Sequence, residues 1–389
     1  MFRISMLNKI SPLGLAKLPK ETYETALELA NPDAILLRSF KMNGKMPATL
    51  KAIGRAGAGV NNIPVDACSE QGIVVFNTPG ANANAVKELA ILGLLISSRR
   101  IADALAYARG LAGKGAEISK MIEKDKSQFV GPELLGKKLG VIGLGAIGVM
   151  VANSALALGM DVEGFDPYIS VEAAWSLSHD VKKARSLDAL VANSDYITVH
   201  VPLSDKTKHL INAEKISLMK KGVRIVNLSR DALVDEAALI AALKEGKIAH
   251  YVSDFGNEAI LQAPNVTCFP HLGASTPEAE DNCAIMVANQ VRDFLENGNV
   301  TNSVNFPACQ LERSGKTRIS IINKNIPNMV GQFTTALADA KMNIAEMLNK
   351  SRGDYAYNIV DIDGDVGENV TRKLEAINGV IKVRIIKAA

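Results

Sequence analysis

The chain reads as an α/β protein built from two doubly wound parallel sheets and a smaller C-terminal ferredoxin-like unit. Three observations predict this. Short apolar runs alternate with helical patterns twice over, first before residue 100 and again from Leu139. A glycine-rich turn, Gly143-Leu-Gly-Ala-Ile-Gly148, joins one such run to an Ala-rich helix. Past Ser314 the order changes to strand, helix, two strands, helix, strand, which is β-α-β-β-α-β.

In the first series, Ala34–Arg38 and Gly72–Phe76 are short β-like runs bounded by Pro, Asp, Gly and Asn, and Val86–Arg99 carries Leu, Ala and Ile at helical spacing. The second series has strands at Leu139–Ile142, Asp161–Phe165, Tyr196–His200, Arg224–Asn227, Tyr251–Ser253 and Val266–Phe269. Asp235–Glu245 and Thr276–Asn297 are helical by pattern. In the latter, Pro277 suits a first helical position, Glu278 and Glu280 suit the positive end of the helix, and Gly298 suits its stop. Asn305 to Gly315 is the most linker-like stretch. Beyond it the pattern places strands at Arg318–Asn323, Asn343–Lys350, Tyr355–Ile362 and Ile381–Ile386, with helices at Met329–Lys341 and Glu368–Ile377.

With 389 residues the chain exceeds one ordinary core, so two or three domains are expected. Composition is that of a soluble globular protein, 48% hydrophobic and 22% charged. A net charge of +3 argues against nucleic acid or an anionic membrane as the main partner. Cys68, Cys268, Cys283 and Cys309 are scattered without metal-ligand spacing, which reads as reduced thiols in a cytoplasmic protein and no metal site. The start of the chain has no long apolar run, so a secretory signal is not expected. Leu139–Met160 holds no charged residue and is long enough to cross a bilayer, but its glycines and alanines fit a strand, a turn and a packed helix better.

The glycine turn carries the clearest chemistry. Gly143 permits a tight turn, Gly145 lets backbone reach a pyrophosphate, and Gly148 lets helix and strand pack closely. Amides at the helix start then bind the diphosphate. Asp166, after the next strand, accepts hydrogen bonds from ribose hydroxyls and repels a 2′-phosphate, so NAD is expected rather than NADP. Three further residues follow strand ends, where open α/β sheets build their sites. Arg230 offers a permanent fork for a carboxylate. His271, between Pro270 and Leu272-Gly273, suits a general base, and Glu258 suits the carboxylate that would orient and charge it.

The motifs Gly54-Arg-Ala-Gly-Ala-Gly-Val60, Val86-Lys-Glu-Leu-Ala90, Gly143–Gly148, Asn227-Leu-Ser-Arg230 and Pro270-His-Leu-Gly-Ala-Ser-Thr276 together resemble the D-isomer-specific 2-hydroxyacid dehydrogenases. The closer likeness is to members that oxidise D-3-phosphoglycerate and carry a C-terminal ACT domain. The resemblance implies a Rossmann-like nucleotide domain at 94–282, inserted in a flavodoxin-like substrate domain formed by 1–93 and 283–305, with the ACT domain at 316–389. It places the catalytic arginine, glutamate and histidine on Arg230, Glu258 and His271. Cofactor contacts fall on Gly143, Gly145, Ala146, Ile147, Gly148, Asp166, His200, Pro202, Ser229, Asp254 and Gly273, with Asp254 holding the carboxamide. Substrate contacts fall on Arg38, Arg55, Gly57, Gly59, Lys87 and Arg230.

The implied reaction is oxidation of 3-phospho-D-glycerate at the entry to serine synthesis, by a homodimer or homotetramer. In relatives that bind serine, an amide and a histidine in the first ACT loop and an asparagine before the second strand make the contacts. Here those places carry Asn323, Asn325 and Asn343, without the histidine. The family pattern is also broken at Asn61-Asn62 and Asp231, and the Asp254–Glu258 segment is one residue short. Two other activities share these residues: a hydroxypyruvate or glyoxylate reductase, and a non-catalytic NAD sensor.

Overall fold

Why the first strands lie where they do follows from their side chains. Ala34–Leu37 (β3) is buried at every position, as a strand covered on both faces must be. It lies between Phe2–Met6 (β1) and Ala52–Arg55 (β4), with Tyr23–Leu27 (β2) and Val74–Phe76 (β5) at the edges. The order β2-β1-β3-β4-β5, all parallel, is the flavodoxin-type winding. The computed structural model describes residues 1–43 and 46–387.

The second sheet has seven parallel strands in the order β12-β11-β10-β9-β6-β7-β8. They are Lys138–Ile142 (β6), Asp161–Phe165 (β7), Lys182–Lys183 (β8), Tyr196–Val199 (β9), Val223–Asn227 (β10), Ile248–Ser253 (β11) and Val266–Cys268 (β12). The order reverses between β6 and β9, so a crevice opens at the carboxyl end of β6. The uncharged segment Leu139–Met160 resolves into β6, the glycine turn and the Ala146–Ala157 helix. Among the described residues no helix is long and apolar enough to cross a membrane.

The third sheet is antiparallel, β14-β15-β13-β16, from Thr317–Lys324 (β13), Ile344–Arg352 (β14), Tyr355–Ile362 (β15) and Val380–Lys387 (β16). Its helices Met329–Asp339 and Glu368–Glu375 cover one face through Met329, Phe333, Leu337, Val370 and Leu374. This is the ferredoxin-like unit the pattern predicted.

By compactness the chain forms two units, residues 1–82 with 277–389, and residues 83–276. The first unit takes in the C-terminal sheet, because the linker-like stretch is pinned down. Phe306 and Cys309 are buried. The Asn305 amide accepts from Val75 N (2.9 Å) and donates to Ile73 O (2.9 Å) and Ser69 Oγ (3.1 Å). Polar composition suggested a free linker; an asparagine that replaces strand pairing and an aromatic anchor, with the Phe306 and Tyr355 rings 5.7 Å apart, make it structural.

The Pro277–Asn297 helix ends against the same sheet. Arg318 Nη1 donates to Asn297 O (2.9 Å) and Leu311 O (2.9 Å), Arg384 donates to Phe294 O (3.3 Å) and Leu295 O (3.1 Å), and the Tyr357 hydroxyl donates to Gly298 O (2.7 Å). The last carbonyls of a helix lack intrahelical donors and carry its negative end, so buried guanidinium groups suit them.

Candidate active site

The glycine turn has the geometry its sequence predicted. Gly143 sits at φ 91°, and a Cβ there would meet His200 O at 2.7 Å. A Cβ on Gly148 would lie 1.9 Å from Gly143 O, so helix and turn touch only because that residue is glycine. A Cβ on Gly145 would meet nothing within 4 Å, so the turn is open on this side. Within the helix the first intrahelical bond runs from Val149 N to Gly145 O, which leaves the amides of Ala146, Ile147 and Gly148 free to donate outward. These features fit a dinucleotide diphosphate.

Asp166 completes that end of the site. Its carboxylate accepts from Leu144 N and Tyr168 N, both at 2.8 Å, which ties the glycine turn to the end of β7. Beside it a cavity of about 460 Å³ is lined by Leu144, Phe165, Asp166 and Ile169. His200 Nε2 pairs with Thr198 Oγ1 at 2.9 Å, and burial pushes its pKa down to about 4, so this imidazole is neutral near pH 7. Ser229 Oγ donates to Val199 O at 2.7 Å.

Arg230, Glu258 and His271 follow β10, β11 and β12, which are adjacent and parallel. Asn227 aligns with Ser253, and Ser253 with Cys268, so all three loops leave the sheet at one edge. Arg230 is exposed, and its backbone carbonyl is held by the buried Asn227 amide at 2.8 Å. Asn227 belongs to a motif the sequence marked, yet this fixing of the arginine's backbone was not foreseen. The signal available in the sequence was an asparagine closing the apolar run Arg224-Ile-Val-Asn227; in the structure it is wholly buried and so must find partners.

His271 is exposed at φ 56°, the left-handed region, with its ring edge-on to Phe255 at 5.1 Å. That backbone is disfavoured for a residue with a Cβ. Asp254, only 3% exposed, holds it: its two carboxylate oxygens accept from Leu272 N (2.7 Å) and Gly273 N (2.8 Å). The sequence assigned Asp254 to the cofactor; in this structure its oxygens bond to the histidine loop. Glu258 opens the Glu258–Gln262 helix, and its carboxylate accepts from Gln262, one turn on. Among the described residues no hydrogen bond joins Glu258 to His271. The short step from Asp254 places Glu258 on the helix start, with its carboxylate turned to its own helix.

In the first unit, Arg38 forms an ion pair with Glu280, and Arg55 Nε donates to Arg38 O at 3.1 Å. Gly57 adopts φ 152°, where a Cβ would crowd the Arg55 guanidinium, and its carbonyl accepts from Thr78 N. Gly59 lies two residues on in the same loop. Lys87, expected alongside these arginines, belongs to the other unit. Its helix, Ala83–Ser98, packs there through Val86, Ala90 and Leu94, and Lys87 Nζ lies 3.8 Å from Glu88.

The three asparagines expected to bind an effector do not converge within one chain. Asn323 is buried and accepts from Asn358 Nδ2 (2.7 Å), Asn325 donates to Gly353 O (3.0 Å), and Asn343 donates to Asp363 (2.6 Å). Asn323 pairs with Ala356 at one end of β15, whereas Ile344, next to Asn343, pairs with Ile362 at the other.

A doubly wound sheet with a glycine cradle and an acid after its second strand defines a dinucleotide-binding domain. Residues 101–273 match the model for the D-isomer specific 2-hydroxyacid dehydrogenase NAD-binding domain. The D-3-phosphoglycerate dehydrogenase of Haemophilus influenzae is 33% identical over 350 residues, 87% of this chain and 81% of that protein. The one from Methanocaldococcus jannaschii is 40% identical over 305 residues, 77% of this chain and 55% of its own. The first three such relatives are spanned to 55%, 63% and 62% of their lengths. An NAD+-bound 3-phosphoglycerate dehydrogenase structure from Entamoeba histolytica aligns with a TM-score of 0.62 at 26% identity, over 78% of this chain and 98% of that one. A glyoxylate reductase structure aligns with a TM-score of 0.64 at 28% identity, over 78% and 98%. The chain belongs to the D-isomer-specific 2-hydroxyacid dehydrogenase family, and its cofactor is NAD.

Proposed function

We propose that this protein is an NAD-dependent D-3-phosphoglycerate dehydrogenase, oxidising 3-phospho-D-glycerate to 3-phosphohydroxypyruvate at the entry to serine synthesis. The observation that carries the proposal is the alignment of the Arg230, Glu258 and His271 loops on adjacent parallel strands, in a chain similar to relatives that bear this name. NAD, when bound, accepts the hydride from C2. Arg230 holds the C1 carboxylate through its planar fork, and the His271 imidazole takes the 2-hydroxyl proton and later releases it to water. Glu258 supports the imidazolium once its carboxylate leaves Gln262. Asp254 keeps the histidine backbone in place throughout. Arg38 and Arg55 with the Gly57–Gly59 loop meet the phosphate end of the substrate, and Lys87 adds charge from its own unit. The protein acts in the cytoplasm as a homo-oligomer, and for the oligomer exposed Leu105 (59%) and Val130 (77%) offer apolar surface to a second copy. A serine effector at Asn323, Asn325 and Asn343 would need a second chain to bring them together.

One observation favours a second reading. The Glu280 carboxylate already neutralises Arg38, as suits a site for unphosphorylated 2-oxo acids, that is, a hydroxypyruvate or glyoxylate reductase. Initial rates of NADH formation with D-3-phosphoglycerate, D-glycerate and D-lactate separate the two. Phosphoglycerate-selective turnover, falling by about 10²–10⁴ in His271→Ala, is the expected result. Equal rates on unphosphorylated acids move the protein to the reductase reading, and no turnover with NAD still bound refutes both.

A further inference from the structure

The loops after β3 and β4 and the start of the Pro277–Asn297 helix bring two cations and a carboxylate to one place. Arg38 follows β3, Arg55 ends β4, and Glu280 lies in the first turn of the helix. The buried Cys283 thiol, one turn further along that helix, feels all three. Burial raises its pKa; the Thr78 hydroxyl, Arg38 and Arg55 oppose that rise, and Glu280 adds to it.

The main chain of Arg38 is fixed, while its side chain stays within reach of solvent. Its N–H donates to Asn8 Oδ1 (2.8 Å), and its carbonyl accepts from Arg55 Nε (3.1 Å) and Asn62 Nδ2 (3.1 Å). The guanidinium pairs with the Glu280 carboxylate, and the two side chains are 38% and 48% exposed, so a solute meets this ion pair directly. The neighbouring Asp281 is committed elsewhere, to the Ser11 hydroxyl at 2.5 Å. A phosphoryl group carries a charge of about −1.5 to −2 near pH 7 and needs guanidinium donors of this kind. On Arg38 its place is already held by a carboxylate, and two anions on one planar fork repel each other. Binding of the phosphate is therefore an exchange of one anion for another, reversed when the product leaves. An acid without the phosphate has no group for Arg38 and leaves the pair undisturbed.

We propose that Glu280 is a specificity-determining residue: it competes with the substrate's phosphate for Arg38, and so sets how strongly the site prefers a phosphorylated acid over its unphosphorylated counterpart. The inference rests on the reading above in which Arg38 and Arg55 meet the phosphate.

Calorimetric titration of the full chain, saturated with NADH so that no oxidation follows, tests this with 3-phospho-D-glycerate and D-glycerate as probes. Glu280→Gln keeps the shape of the side chain and removes its charge. It should tighten phosphoglycerate about three- to tenfold, the gain from freeing an exposed guanidinium and removing a like charge, and leave D-glycerate unchanged. In an Arg38→Ala background the same change should lose most of its effect, because the contested group is gone. The proposal is overturned if Glu280→Gln binds phosphoglycerate no tighter than wild type, if it tightens both acids equally, or if it tightens phosphoglycerate as much without Arg38. Absence of phosphoglycerate binding in both forms overturns it as well. Wild-type turnover judges the proposed reaction separately: a chain that oxidises only D-glycerate refutes that reaction, whereas this inference stands or falls on the ratio of the two affinities.

Discussion

Replacing Arg318 by Met should be among the most damaging single changes outside the site. The Arg318 and Asp361 side chains are both 0% exposed and form a bidentate pair, Nε to Oδ1 at 2.7 Å and Nη2 to Oδ2 at 2.8 Å. The remaining nitrogen, Nη1, donates to Asn297 O and Leu311 O. Methionine preserves much of the volume but leaves a buried carboxylate bonded only through Ser314, and two carbonyls without that donor. Breaking a buried pair from one side costs about 3–5 kcal/mol. At roughly 2–4 °C per kcal/mol for a domain of this size, the melting temperature should fall by on the order of 10 °C. Asp361→Leu should cost a similar amount, because it strands the guanidinium.

The double variant Arg318→Met/Asp361→Leu distinguishes this account from simple loss of packing. With both charges gone, the two carbonyls and the Ser314 N–H and hydroxyl remain to be satisfied but no buried charge does, so the double variant should melt above either single one, with a coupling of about 3 kcal/mol. Circular dichroism is the appropriate readout, since the lone Trp175 is 85% exposed and reports little of the core. The pH dependence carries a second signature. Burial alone would raise the Asp361 pKa; the bonds from Arg318 and Ser314 outweigh it and hold the carboxyl below its usual value. A depressed folded-state pKa contributes stability above the unfolded value of about 3.9, lost as pH falls through the folded one. Wild type should therefore lose stability below about pH 4 more steeply than the double variant. An Arg318→Met melting point within about 2 °C of wild type, or a double variant as unstable as the sum of the singles, refutes the argument.

The glycine turn makes a paired prediction. Gly145→Ala should fold with an unchanged melting temperature yet bind NAD more weakly, by about tenfold or more, because its Cβ enters only the space left for the diphosphate; equilibrium fluorescence titration with NADH checks it. Gly148→Ala puts a Cβ within 1.9 Å of a carbonyl oxygen and should fail to fold or melt far lower. Asp254→Asn keeps the shape but replaces one acceptor by a donor facing a backbone N–H, so turnover should fall at least about tenfold with the fold intact, the cost of a lost hydrogen bond near the reacting group. Unchanged kcat would show that the His271 loop holds itself.

What was legible in the sequence were the features with a local cause. Alternation of apolar runs and helical patterns gave the parallel sheets, since a buried parallel strand such as β3 has no polar face to disguise it. The turn at Gly143 and the close packing at Gly148 were legible for the same reason: each is a backbone requirement confined to a few residues. Phe2–Met6 and Tyr23–Leu27 were missed because edge and near-edge strands carry exposed or charged positions that blur the pattern.

The features that the sequence did not show all depend on partners distant in it. Lys87 lies close in sequence to the Gly54–Val60 motif, but its helix goes with the second unit because Val86, Ala90 and Leu94 find their cover there. Asn305 resembles any loop asparagine until Val75, some 230 positions away, is seen to donate to it. Asp254 shows how a partner distant in sequence bears on the proposed chemistry. From its motif it is a ligand group, whereas its position makes it the anchor of a histidine backbone in a disfavoured conformation. In the proposed reaction, an acid whose two oxygens are both bonded to the histidine loop acts through geometry before it acts through contact. The part of the proposed site that sequence could not supply was therefore the support beneath the histidine, and in the proposed reaction that support decides whether the imidazole is presented to a substrate at all.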